Sequence, residues 1–408
     1  MKNSKIVKNE FKDKRFLGNE SKYLRELFKF GFKFKRESFI TMLQDKWSLT
    51  FKKKYSITTN SCTSSLHSIF LALNLSKKDE ILVPTLVPFM CSTMIHLAGG
   101  TPVYVDINKK NFLINVEDLK KKITKNTKAV LAVHTHSGVC DLLELKKICK
   151  KNKLYLIEDC AQSFFSRDKN NILSGTIGDV SCWSFQYSKQ LTSGDGGIMS
   201  TNNHVLAKKL RLISNLGYAS LKAKNSQTII PKKIRQNPSF YRTQAIGLNY
   251  RMSEFTAAIA LAQFENSKKI IRMRKLCGQS FYKILQERKN DIVVQDINVK
   301  NSTFFSVAFF IKKKIPWKKF RAKYIANGGE GFYSAPKPNN QEIVTTTNFI
   351  GKCYSSCKKD CVSSCTGTPI ANSIQKKLIL LQTNHQNTKI LNKQTRALRK
   401  TLDFFKIN

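Results

Sequence analysis

The chain has 408 residues, 41% of them apolar, which is enough to bury a sizeable core and too long for one small domain. A formal charge of +44 suggests a polyanionic partner only where cations cluster; here the lysines run along the whole length among asparagines and isoleucines, so nucleic acid is not read as a partner. No apolar run approaches the roughly 20 residues of a membrane span, MKNSKIVKNEFKDKRF lacks a signal-peptide core, and the eleven cysteines are read as reduced thiols, so a soluble, cytoplasmic protein without a membrane partner is expected.

In chain order, the basic segment 1–50 contains FKFGFKFKR at 28–36, where Phe and Lys alternate with the period of a strand. From about residue 55 the pattern becomes regular. DEILVPTL, GTPVYVDI, KAVLAVHTH, KLYLIEDC and VSCWSFQ read as strands, being short, rich in β-branched or aromatic residues and bounded by polar breaks. Between them SSLHSIFLALNL, VEDLKKKI and DLLELKKICKKN carry apolar residues three and four apart and read as helices. The alternation predicts an α/β fold whose large domain has a mostly parallel sheet flanked by helices, with ligands gathering at the carboxyl ends of the strands. Residues 253–285 read as one or more long helices, FFSVAFFIKK as a strand and IANSIQKKLILLQTN as the start of a helix. The expected division is a large cofactor-binding domain, 1–265, and a smaller C-terminal α/β domain, 266–408.

Chemistry is sought where strands end. Asp159 closes one strand, and Lys189 follows another, preceded by Ser184 and followed by Gly194, Gly196 and Gly197. Alone, such an aspartate is a cap or turn former and such a lysine a surface charge. The lysine precedes the glycines, which excludes a P-loop, and no G-x-G-x-x-G follows a strand. Pyridoxal phosphate fits the set: it needs a lysine for a Schiff base, a carboxylate for its pyridine nitrogen, and hydroxyls or backbone N–H groups for its phosphate. Lys189, Asp159, Ser184 and the helix start at Asn60 to Ser65 supply them.

TNSCTSSL, VPTLVPF, GGTPVYVDI, VHTHSG, IEDCAQSF, SFQYSKQL, GDGG and GLNYRMSE occur in the order and spacing of the DegT/DnrJ/EryC1/StrS sugar aminotransferases, which the chain resembles over about residues 55–285. That family belongs to the fold-type I pyridoxal phosphate enzymes. The resemblance implies a Schiff base and proton transfer at Lys189, Asp159 on the pyridinium nitrogen, Gln162 beside the ring, and the phosphate held by Ser184, Thr63 and the backbone of Ser64. It implies that Asn249 reaches the phosphate of a neighbouring subunit, hence a homodimer with shared sites. The implied reaction moves an amino group from an amino acid, L-glutamate, to a nucleotide-linked keto-deoxysugar, a 4-keto-6-deoxy sugar. Alternatives are another pyridoxal phosphate reaction on a sugar or cyclitol, such as dehydration or non-nucleotide amination, and a non-catalytic regulatory relative.

Three departures stand out. Cys62 replaces a glycine of the family's Ser-Gly-Thr; Pro88 takes the place of the ring-stacking aromatic, so that either the adjacent Phe89 shifts to stack on the cofactor ring or the proline covers it; and His136 replaces an aromatic, as a packing histidine or a substrate contact. Cys353, Cys357, Cys361 and Cys365 are spaced four apart, which matches neither C-x2-C nor C-x4-C, so no metal site is expected.

Overall fold

A seven-stranded sheet organises the first half of the chain, in a computed structural model that describes residues 16, 18–30, 38–218, 232–341, 367–385 and 387–408. Its strands are β1 (Tyr55–Thr59), β2 (Glu80–Pro84), β3 (Thr101–Val105), β4 (Thr127–Val133), β5 (Tyr155–Asp159), β6 (Val180–Ser184) and β7 (Gly197–Thr201), in the order β1-β7-β6-β5-β4-β2-β3. Pairs from β6 through β3 are parallel, while β7 lies antiparallel between β1 and β6. The helices are α1 (Glu20–Phe30), α2 (Phe39–Phe51), α3 (Cys62–Ala72), α4 (Met90–Leu97), α5 (Val116–Lys122), α6 (Leu142–Lys151), α7 (His204–Ser214), the short α8 (Lys232–Arg235) and α9 (Glu254–Glu265).

Alternation along each strand sends side chains to both faces, and both are dry, as a parallel sheet requires. Ile81, Val83, Leu131, Ile157 and Cys182 pack under Leu66, Ile69 and Phe70 of α3 and Leu206 and Leu210 of α7. On the opposite face Trp183 and Ile198 meet Trp47 and Phe51 of α2 and the alanines of α9, while Leu82, Val130 and Leu156 meet Leu119 of α5 and Leu145 and Ile148 of α6.

The long helix α10 (Ser267–Gln286) leads to a second, antiparallel sheet made of β8 (Ile292–Val294), β9 (Ser306–Ile311), β10 (Tyr333–Ser334) and β11 (Ile379–Gln382), in the order β10-β11-β9-β8. One face packs Phe309, Ile311 and Leu381 on α10, α11 (Trp317–Ala326) and α13 (Thr388–Phe404). The other turns Ala308, Phe310 and Leu380 toward α12 (Pro369–Gln375) and toward Leu86, Ile107 and Phe112, which follow β2 and β3. The small sheet therefore stands over the carboxyl ends of the large one.

Two expectations change. Phe28 to Phe30 belong to α1, whose Tyr23 and Leu27 pack toward α9, so they are helical rather than strand-like; the rest of 28–36 lies outside the described residues. The helix start expected in 370–384 is the short α12, after which the segment turns into β11 rather than continuing as a helix. The four cysteines at 353–365 lie outside the described residues.

Candidate functional site

The carboxyl edge of the large sheet carries a cavity of about 320 Å³. Thr63 from the first turn of α3, Asp159 at the end of β5, Gln162 just after it, Ser184 at the end of β6 and Lys189 after β6 all line it. A roomier groove of about 900 Å³ runs along α10, lined by Lys268, Arg272 and Lys275 without a carboxylate. Convergence of a buried carboxylate and a half-buried amine singles out the smaller cavity as the candidate site.

Asp159 is 5% exposed. Its Oδ1 accepts from the Ala161 N–H at 2.9 Å and its Oδ2 from the Cys91 thiol at 3.6 Å. The thiols of Cys62 and Cys182 lie within 4.8 Å of the same carboxylate. Burial pushes the Asp159 pKa up, against the opposing pull of the Ala161 N–H and of Lys189. Lys189 is half-buried, reachable from the cavity yet surrounded by protein. Burial lowers its pKa, and Asp159 opposes that shift. Lys53 is a contrast: it too has its pKa lowered by burial, but its amine donates to Gly178 O at 2.8 Å and it lines no part of this cavity.

The loop from β1 into α3 is shaped for an anion. Ser61 caps the helix, its Oγ accepting from Ser64 N at 3.1 Å, which uses the Ser64 N–H within the cap. The Ser64 hydroxyl donates to Asn60 Oδ1 at 2.6 Å, so it is engaged at the cap as well. The N–H groups of Cys62 and Thr63 come before the first helical hydrogen bond and sit at the positive end of the helix dipole. Gly197 in β7 makes room for this turn: a Cβ there would stand 2.5 Å from the Ser61 carbonyl carbon.

Gln162 is held in place by the His136 N–H, which donates to its Oε1 at 2.8 Å. His136 itself is buried, with Nδ1 3.3 Å from Ser306 Oγ, and burial lowers its pKa to about 4, so it is a neutral histidine joined to the small sheet. Pro88 and Met90 line the cavity, whereas Phe89 between them is 47% exposed and outside the lining. Asn249 is exposed and outside the lining of its own chain's cavity, its Oδ1 accepting from Arg251 Nε at 3.0 Å.

Several supporting residues escape sequence reasoning. Glu158, next to Asp159 but on the opposite face, accepts from the N–H groups of Gly175, Ile177 and Gly178 and from His134 Nε2 at 3.1 Å. The Cys140 N–H donates to His134 Nδ1 at 3.2 Å, which leaves the proton on Nε2. Burial alone would raise the Glu158 pKa; His134 and the backbone hold it below the usual carboxylate range. Arg274 and Phe305, from α10 and the lead into β9, complete the surroundings of Lys189. A signal for Arg274 does exist, since it falls in register with Ile270, Cys277 and Phe281 on the apolar stripe of α10.

Known proteins agree with this architecture. The chain is 34% identical over 258 residues to a GDP-perosamine synthase of Vibrio cholerae, covering 63% of this chain and 65% of that one. It is 31% identical over 258 residues to a GDP-perosamine synthase of Escherichia coli O157:H7, covering 63% and 66%. It thus spans a little less than two thirds of the length of the curated relatives it matches. A solved Bacillus subtilis structure with bound cofactor PMP shares the fold at a TM-score of 0.77, with 20% identity over 99% of this chain and 87% of that one. The sequence profile described as the DegT/DnrJ/EryC1/StrS aminotransferase family matches residues 19–328, and the chain belongs to that family.

Proposed function

We propose that this chain is a pyridoxal phosphate-dependent aminotransferase that moves an amino group from an amino acid, L-glutamate, to the keto group of a nucleotide-linked keto-deoxysugar, a 4-keto-6-deoxy sugar. One observation carries the reading: a desolvated amine, Lys189, and a buried carboxylate, Asp159, line one cavity together with the opening turn of α3. The name of the two curated relatives, that of a synthase of a nucleotide-linked amino sugar, supports the substrate class. The donor set of the cavity fits the cofactor. Asp159 would hold its ring nitrogen, Lys189 its aldehyde carbon, Thr63, Ser184 and the free N–H groups of α3 its phosphate, and Gln162 would lie beside the ring. Phe89 could reach the ring only by turning in from the surface. When bound, pyridoxal phosphate supplies a carbonyl that exchanges with amines and a ring that withdraws electrons.

The residues of the chain then divide the work. Burial lowers the Lys189 pKa and favours the neutral amine, the form that attacks a carbonyl carbon and accepts a proton. Asp159, whose ionised form is penalised by burial, regains it most readily when a cation faces it. The Glu158–His134 hydrogen bond ties the residue before Asp159 to the end of β4. The proposal extends to Asn249 acting across a homodimer, to domains at 1–265 and 266–408, and to the cytoplasm as the place of action. Among the described residues no helix is long and apolar enough to cross a membrane.

The holoprotein should show the absorption band of a cofactor joined to lysine and lose it in Lys189→Ala. With glutamate and a panel of nucleotide-linked keto-sugars, mass detection should find a product that has gained nitrogen. Asp159→Asn should keep the thermal midpoint while turnover drops about a hundredfold or more. A Lys189→Ala spectrum identical to wild type overturns the assignment.

A further inference from the structure

Arg274 lies on the buried side of α10 and is 3% exposed. A guanidinium does not give up its charge, so its burial has to be balanced by acceptors. Four uncharged acceptors tie it to the site: Nη2 donates to Ser188 O at 3.2 Å and to Lys189 O at 2.9 Å, and Nη1 to Phe305 O at 3.4 Å and Thr383 Oγ1 at 3.5 Å. One planar fork therefore spans two segments from different sheets. The first is the turn that carries Lys189, closed by the Lys189 N–H on Gln186 O at 2.9 Å. The second is the lead into β9, where the Phe305 ring centroid stands 4.8 Å from Lys189 Nζ.

The second segment is set with unusual care. Phe304 is fully buried at φ +49, a backbone region that a phenylalanine enters only when its surroundings impose it. Its ring fills space beside Gly278 of α10, where a Cβ would approach that ring to 2.0 Å. Arg274 has company in joining the two segments, since Gln190 Nε2 donates to Gln162 O at 2.9 Å and to Thr303 Oγ1 at 3.4 Å. What Arg274 contributes is a grip on the Lys189 carbonyl and on the residue whose ring faces the Lys189 amine.

We propose that Arg274 is a positioning residue, which sets where the Lys189 amine stands by fixing the Lys189 main chain and the Phe305 ring with one guanidinium. The inference rests on the reading of Lys189 as the cofactor-bearing amine. The amine is faced by Asp159 from β5, Cys62 from α3, Cys91 from α4 and the Phe305 ring, while the Arg274 charge acts against its protonation. A cation is attracted to a ring face and to Asp159 and repelled by Arg274, so a shift of this framework changes the balance at the amine.

The test compares wild-type holoenzyme with Arg274→Met, Arg274→Lys and Phe305→Leu. Three quantities are read: the pH midpoint of the lysine-linked cofactor band, kcat and KM for the sugar substrate, and the thermal midpoint. Arg274→Met and Phe305→Leu should move the pH midpoint by about half a unit or more, and lower kcat about tenfold with KM changed less than about twofold. Arg274→Lys, which keeps charge but loses the fork, should fall between them and wild type. If Arg274→Met does not fold, Arg274→Lys and Phe305→Leu decide the matter. Variants with a lower thermal midpoint but the wild-type pH midpoint and kcat per loaded site would show a purely structural role and overturn the proposal. A wild-type holoprotein with no lysine-linked band would instead overturn the underlying reading of Lys189.

Discussion

His136 shows how much a single residue's role depends on burial. It is 7% exposed, sits at φ +61, donates its N–H to Gln162 and has a pKa lowered to about 4 from an ordinary 6.5. As pH falls from 6.5 the unfolded chain binds the proton first, so stability is lost through that window and the loss is complete near 4. One pKa unit is worth about 1.4 kcal/mol, so this histidine alone should take about 3 kcal/mol from the fold over that range. Urea denaturation at pH 7 and 4.5 should show a smaller difference in His136→Asn than in wild type, asparagine being chosen because it tolerates the left-handed region. An equal pH dependence in the two proteins would assign the acid lability elsewhere. The motif VHTHSG leaves packing and substrate contact open because protonation state is set by what covers the ring, and Ser306 comes from a strand 170 positions away.

At the scale of elements, the turn between β1 and α3 depends on the absence of a side chain at Gly197 of β7. Gly197→Ala would bring a Cβ within 2.5 Å of Ser61 C and O and 2.6 Å of Cys62 N, all backbone atoms that cannot rotate away. We expect a loss of about 1–3 kcal/mol in stability and weaker retention of cofactor after dialysis, measured by chemical denaturation and by absorbance. Retention equal to wild type would separate this glycine from the phosphate seat. Much of the site was legible because Thr63, Asp159, Ser184 and Lys189 each stand where a helix opens or a strand ends on one sheet edge, so β-branched runs bounded by polar breaks locate them. The strands YSITT and GIMST were not legible, being short and mixed in composition, and they become strands by pairing with each other and β6. Phe28 to Phe30 misled for the opposite reason: a two-residue alternation was present, but the longer stripe through Tyr23 and Leu27 packs as a helix. Arg274 and Phe305 reach Lys189 from beyond the large sheet, and no local pattern joins segments so far apart.

For the whole molecule, the segment before α9 carries Tyr241 at 88% and Ile246 at 95% exposure, near Asn249, which is outside its own chain's cavity. Large apolar side chains this open suit a surface that a second copy covers, in keeping with the proposed homodimer. Sedimentation should give twice the chain mass. Co-expressed Lys189→Ala and Asn249→Ala chains should regain activity that neither has alone, because a mixed dimer rebuilds one site intact; about a quarter of all sites should recover. No recovery from dimers shown to be mixed would place Asn249 outside the neighbouring site. The antiparallel seating of β7 between β1 and β6 also has a bearing on synthesis. The turn at Ser61 leaves the ribosome before the strand that supports it, which ends at Thr201, and Thr59 pairs with Gly197. A contact so distant in sequence closes slowly. The nascent chain therefore carries an unfinished anion seat while some 140 further residues are made, and during that interval a ligand that recognises only the finished seat cannot stabilise it.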